Sequence, residues 1–476
     1  MPSITFFSRR QFCLSAAAGF ALPGLRAAEG EGPWSGPALV RRVYLAARRP
    51  SWPRPDLDLK QEVAEVEARV QELEKRYPEQ LRFTGGELLQ PGADISAWAA
   101  GAAEADVILA FNITHGVLGL LDRLFEAGRP VLMFSKPYAG HDWTHQAVFA
   151  QQGRQAEVLA SSDYAELDAY VKLFRTVHHL RYSKVLLVSP PAARPSVAGF
   201  EERFGTTFAY PSYLDLKAAY DAVDAARSRK QAEEFIRSAA RVVEPTRPEI
   251  DDSLRLYLAI QELLRQEKAN AIAIDCLGGF GRKELPAYPC IAFSKLNDTG
   301  MYGVCECDLD STMTQLLVTS FSGKPGFVSD PVFDTSRNEV IHAHCVSATA
   351  MQGVGGPTSP FIVRSHLEDH RGVSMQVLLP PGGPVTVARF SGPRKFVVST
   401  GEAAGNVDDE RGCRTKIRTR VPNARKFLED YAAAIAGSNP RVGTRDLLHR
   451  VVFYGDHTES IDRLGRLLGF QVVREA

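Results

Sequence analysis

Four short runs limit what this chain can fold into: 106–111 (DVILAF), 130–135 (PVLMFS), 184–189 (KVLLVS) and 271–275 (AIAID). Each is apolar at nearly every position, not at every second one. A strand of that kind is buried on both faces, which a parallel sheet covered by helices provides. Helical periodicity fills the gaps. Segment 62–77 sets Val63, Val66, Val70 and Leu73 on one face, 117–127 reads as a helix with Gly128 as its C-cap, and 251–268 is a strong helix. Further strands are predicted at 38–46, 81–84 and 157–161, and further helices at 214–240 and 311–321. Strands alternating with helices predict an α/β fold with doubly wound parallel sheets.

The texture changes near residue 322. Gly, Pro and Asp now punctuate short β-rich runs at 327–328, 340–344, 373–379, 385–390 and 396–399. That pattern predicts an antiparallel β domain, a barrel in form. A helix at 423–435 and a strand, helix and strand at 450–454, 458–468 and 470–473 close the chain. The expected organisation is a leader over 1–28, two doubly wound α/β domains over 36–181 and 182–321, and a C-terminal β-rich domain over 322–476.

The leader reading rests on Arg9-Arg10, a mild apolar run over 14–25, and the small residues Ala27-Ala28. The arginine pair resembles a twin-arginine export signal, which implies a periplasmic or extracellular location; without it the protein is expected in the cytoplasm. With 56 basic and 56 acidic residues, the formal charge is zero and supplies no basic surface for nucleic acid. No run approaches the ~18 apolar residues of a membrane-spanning helix. Seven cysteines lack the paired spacing of a structural zinc site and read as buried thiols.

Chemistry concentrates in three segments and one isolated residue. Segment 304–308 (VCECD) puts acids into an apolar stretch before a helix. Segment 327–331 (FVSDP) ends an apolar run on Asp330. Segment 341–345 (IHAHC) sets His342 and His344 on one side of a strand, and His449 precedes the strand at 450–454. Carboxylates with imidazoles suit a divalent metal such as manganese. Singly, each residue also has a plain role: Glu306 or Asp308 capping the next helix, Asp330 in a turn, His344 hydrogen-bonded in a core. The run 278–281 (GGFG) lacks the spacing of a dinucleotide fingerprint, and 353–357 (GVGGP) reads as a loop.

Taken together, 289–317 (PCIAFSKLNDTGMYGVCECDLDSTMTQLL), 323–331 (GKPGFVSDP), 342–345 (HAHC), 363–369 (VRSHLED), 412–416 (GCRTK) and 449–456 (HRVVFYGD) resemble the L-fucose isomerase/L-arabinose isomerase superfamily. The first half matches more loosely, through 111–116 (FNITHG) and 128–141. The resemblance implies two α/β domains followed by a barrel-like domain, a divalent metal that is usually Mn2+, and a homo-oligomer, trimer or hexamer. Carried over by motif, it implies Glu306, Asp330, His344 and His449 as metal ligands. Asp330 resembles the fucose branch and His344 the arabinose branch. The sequence departs at Cys307, where the family has glycine, and at Leu448, where it often has a histidine.

The activity so implied is aldose–ketose isomerisation of a pentose or 6-deoxyhexose-like sugar through an enediol, with Glu306 and Asp330 as the acid/base pair. His366, Arg414, Asn112 and His115 are candidate substrate groups. His366, with Glu368 nearby, equally suits a surface loop, and Arg414 equally suits a pairing with the acids of 408–410. Asn112, His115 and His141 fall at strand–loop junctions. Two alternatives stand beside this reading: an exported carbohydrate-binding protein that retains the fold without catalysis, and an epimerase using the same metal site.

Overall fold

The computed structural model describes residues 32–436 and 448–475, so the leader assigned to 1–28 lies outside the described residues. The first sheet is wholly parallel, in the order β2-β1-β3-β4-β5. Its strands are β1 (Ala38–Leu45), β2 (Leu81–Leu89), β3 (Val107–Asn112), β4 (Val131–Ser135) and β5 (Ala156–Ala160). Every residue of β3 and β4 is buried, as their apolar runs require. Gly128 ends the helical turn before β4 in the left-handed region, φ 62°.

Helix Asp168–Tyr182 crosses to the second sheet. That sheet is parallel too, ordered β10-β9-β6-β7, from β6 (Lys184–Val188), β7 (Thr207–Ala209), β9 (Ala271–Ile274) and β10 (Tyr302–Cys305). The helical stretch expected at 214–240 divides into Tyr213–Ala222 and Ala225–Ser238, because Asp224 caps the second helix by accepting from Arg227 N. The run 278–281 belongs to the short helix Cys276–Gly281, capped by Asp275. A two-residue strand, β8 (Arg241–Val242), leaves this region to pair with β13 (Phe361–Arg364), which also pairs with β14 (Ser374–Val377).

The remaining strands are β11 (Phe327–Asp334), β12 (Glu339–His344), β15 (Pro384–Phe390), β16 (Lys395–Asn406), β17 (Thr415–Arg420), β18 (Arg450–Tyr454) and β19 (Gln471–Arg474). The order β15-β18-β11-β12-β17-β16 closes through a β15–β16 pairing into a six-stranded antiparallel barrel. The short strand β19 runs parallel along β16. One hydrophobic core joins the first sheet, the helix Leu309–Ser322 and the barrel strands β15 and β16. The expected mixture of parallel sheets and a C-terminal antiparallel barrel is therefore present. Among the described residues no helix is long and apolar enough to cross a membrane.

Candidate metal centre

The site forms where β10 meets the barrel. After Cys305 the chain passes through two consecutive left-handed residues, Glu306 (φ 58°) and Cys307 (φ 51°). An L-residue there costs roughly 1–2 kcal/mol, which glycine avoids. The turn is fixed on both sides. Cys307 N donates to Ile274 O at 2.9 Å, and Asp308 caps the helix Leu309–Ser322 by accepting from Ser311 N at 3.0 Å.

Barrel register supplies the other groups. Asp330 on β11 lies opposite Ala343, one residue before His344, and Ser329 lies opposite Arg450, one residue after His449. Three ligand-type residues distant in sequence thus reach one end of the barrel beside Glu306. Glu306, His344 and His449 each bring a ligand atom within 4.8 Å of the others. His344 Nε2 is 3.6 Å from Glu306 Oε1, and His449 Nε2 is 3.7 Å from Glu306 Oε2. Asp330 Oδ1 stands beside the trio, 3.5 Å from His449 Nε2.

These separations exceed normal hydrogen bonds. Ligands each about 2.0–2.2 Å from one ion lie roughly 3–4 Å from one another. His449 Nε2 and Asp330 Oδ1 are buried with no hydrogen-bond partner among the described residues. Buried polar atoms are seldom left so, and two of them facing each other fit a cation between them. The donor set of imidazole nitrogen and carboxylate oxygen suits a first-row divalent metal.

His449 is held from behind. Its Nδ1 donates to Asp308 Oδ2 at 2.7 Å, and Asp308 also receives Arg389 Nη1 at 2.6 Å. A carboxylate on Nδ1 orients the ring so that Nε2 faces the site, where a metal would take the place of its proton. Burial opposes charge on His449, but Asp308 and Glu306 outweigh it and push the imidazole up to about 10. Burial likewise opposes ionisation of Glu306, yet His344 and His449 beside it hold the carboxyl well below its usual range. Burial would also raise Asp308, and Arg389 and His449 reverse that. Asp308 is the component whose function the sequence conceals, since its helix cap accounts for it locally while its contacts to His449 and Arg389 are non-local.

His342 takes the plain role. It is buried in the barrel between Ser329 Oγ and Thr419 Oγ1, each 3.1 Å away. Arg414 does likewise. Its guanidinium is buried, bonded to Ser365 O at 2.9 Å and paired with Glu410 at 3.1 Å, so internal bonds rather than an open site use it. His366 is buried against the rings of Phe280 and Tyr288, in a loop closed by His370 N donating to His366 O. Its Nδ1 is buried, 3.5 Å from Asp369 Oδ1, and makes no hydrogen bond among the described residues.

Asn112 and His115 lie at the carboxyl ends of the first sheet, and no contact among the described residues ties them to Glu306. Asn112 donates to Asp142, which also accepts from Ser135 Oγ at 2.6 Å. His115 belongs to an aromatic group with His141 and Trp52. Cys276, Cys290, Cys305, Cys307 and Cys345 are buried free thiols, and Cys413 is half-buried. No protein-family model matches this chain, and no curated protein matches it.

Proposed function

We propose that the protein is a metal-dependent aldose–ketose isomerase of the L-fucose/L-arabinose isomerase type, acting on a pentose or 6-deoxyhexose-like sugar. The observation that carries this reading is the convergence of Glu306, His344 and His449, with Asp308 orienting His449 and Asp330 Oδ1 left unbonded beside them. Glu306, His344, His449 and Asp330 would hold the ion, for which Mn2+ is the proposed identity. When bound, a divalent metal supplies Lewis-acid polarisation of neighbouring sugar oxygens.

The chain's own groups divide the remaining work. Glu306 faces both imidazoles, at 3.6 Å from His344 and 3.7 Å from His449, so it serves best as a ligand. With Oδ1 turned to the ion, the Oδ2 of Asp330, on a half-buried side chain, is the better-placed base. It would take the proton from C2 of the aldose, leaving the enediolate, and return it to C1, while the O2 hydroxyl proton passes to O1, giving the ketose. His366, beside Asp369 and the rings of Phe280 and Tyr288, is the proposed contact to a sugar hydroxyl. Assembly as a homo-oligomer and export through the leader belong to the same proposal.

The test is metal content by mass spectrometry together with aldose-to-ketose conversion on a panel of pentoses and 6-deoxyhexoses. About one ion per chain with turnover is the expected result. Asp330→Asn is expected to lower kcat by about 10²–10⁴-fold, and Glu306→Gln to lose the metal. Full turnover in both variants would remove the assignment, and a changed stereocentre without a ketose product would identify an epimerase.

A further inference from the structure

One cavity lies apart from Glu306 and shares no residue with the metal centre. It is a cleft of about 380 Å³ between the first sheet, the helix Ala198–Phe204 and the turn joining β15 to β16. Four of its lining residues are arginines: Arg129, Arg154, Arg203 and Arg394. Its acid is Glu202, and no salt bridge among the described residues joins it to any of the four. Many other arginines of this chain meet carboxylates, as Arg76 meets Asp168, Arg364 meets Glu244 and Arg450 meets Glu475. Here they do not. Arg129 Nε donates to Ala103 O at 2.8 Å, Arg203 Nη1 donates to Gly469 O at 2.6 Å, and Arg154 lies 4.9 Å from the centre of the Phe125 ring.

Those contacts orient three guanidinium groups without neutralising them. Like charges held together around a concave surface repel one another unless an anion enters. The proximity has an electrostatic signature: burial first, then the neighbouring Arg394, lowers the Arg203 guanidinium from its ordinary value, and Glu202 only partly opposes them. The wall is also cut back. Gly128 and Gly153 line the cleft at φ 62° each, and a Cβ at either would meet nothing within 4 Å. The volume falls within the range of small-molecule sites, and planar guanidinium forks match phosphate oxygens in pairs.

We propose that this cleft binds a small multivalent phosphate anion, either free or as a phosphate ester. The ligand would bridge Arg129 and Arg154 of the first sheet's loops to Arg203 and Arg394. The inference is independent of the reaction proposed above.

The test is titration calorimetry on the full chain without added metal, at about 0.15 M salt, where exposed charges are screened beyond ~8 Å. Pyrophosphate and a hexose phosphate are the probes, and the tighter of the two tells a free phosphate from an ester. Arg154→Gln with Arg394→Gln, both on exposed side chains, is expected to weaken binding by at least tenfold, since each charge-assisted contact contributes about a factor of ten. Glu202→Gln is expected to tighten it. Failure of the wild-type protein to bind either probe, or an unchanged Kd in the arginine variant, would overturn the proposal.

Discussion

Asp308 Oδ2 accepts the Nδ1 hydrogen of His449 at 2.7 Å, and the same carboxylate holds Arg389 and caps the helix that begins at Leu309. One residue therefore ties the end of the parallel sheet to the mouth of the barrel. Replacing it should separate metal affinity from ligand identity. Asp308→Asn retains the cap but loses the charge that orients His449, and should weaken Mn2+ binding about 10–100-fold. Metal titration of the variant checks this, and an unchanged affinity would show that His449 needs no support.

The left-handed turn at Cys307 makes a stability prediction. Cys307→Val puts a β-branched side chain at φ 51° and should destabilise the protein by roughly 2 kcal/mol or more. Cys307→Gly relieves the backbone but removes a buried thiol, so the two effects should cancel to within about 1 kcal/mol. Urea denaturation of the pair measures the contrast.

His342 predicts a pH dependence. Burial in the barrel lowers its imidazole to about 3, against about 6.5 when unfolded. Between those values the unfolded chain binds the extra proton, so stability falls as pH falls from about 6.5 towards 3. The slope from this group is about 1.4 kcal/mol per pH unit. Denaturation from pH ~6 down to ~4.5 should show the wild-type protein losing about that much more per unit than His342→Gln, and the two curves should run together above pH ~7. Parallel curves for the two proteins would place the acid sensitivity elsewhere.

At the start of β18, next to His449, Arg450 and Glu475 form an ion pair at 2.8 Å with both side chains fully buried. Removing one partner strands the other charge in the core. Glu475→Ala should cost about 3–5 kcal/mol, read as a lowered denaturation midpoint at constant m-value.

Much of this architecture is legible in the residues. The doubly apolar runs mark β3, β4, β6 and β9, because full burial leaves no polar face to disguise them. Other elements are concealed by their own packing. Helix Asp168–Tyr182 buries Thr176 and His178 along with its apolar residues, which blurs the amphipathic stripe. Strand β10 contains Gly303, which reads as a loop residue but is required because a Cβ there would lie 2.6 Å from Phe293 Cα. Strand β17 (TKIRTR) looks like surface, yet the Lys416 ammonium turns inward to the carbonyls of Arg411 and Cys413. The metal-centre residues Glu306, His344 and His449 are visible as residue types near element ends. Arg414 and Asp308 illustrate the limit, since an arginine near acids and an acid before a helix have local explanations whether or not they also have distant partners.

Closure of the six strands has a consequence for the fidelity of the metal centre. In an open sheet, a strand can slip by a residue at the expense of one ladder. In a ring, a slip of β11 against β12 must be matched by every other strand before the circuit closes again. Asp330, His344 and His449 therefore keep their relative heights through a constraint distributed over ladders far from them. Substitutions that loosen β15 against β16, on the opposite side of the circuit, should blur the spacing of the three side chains without touching any of them.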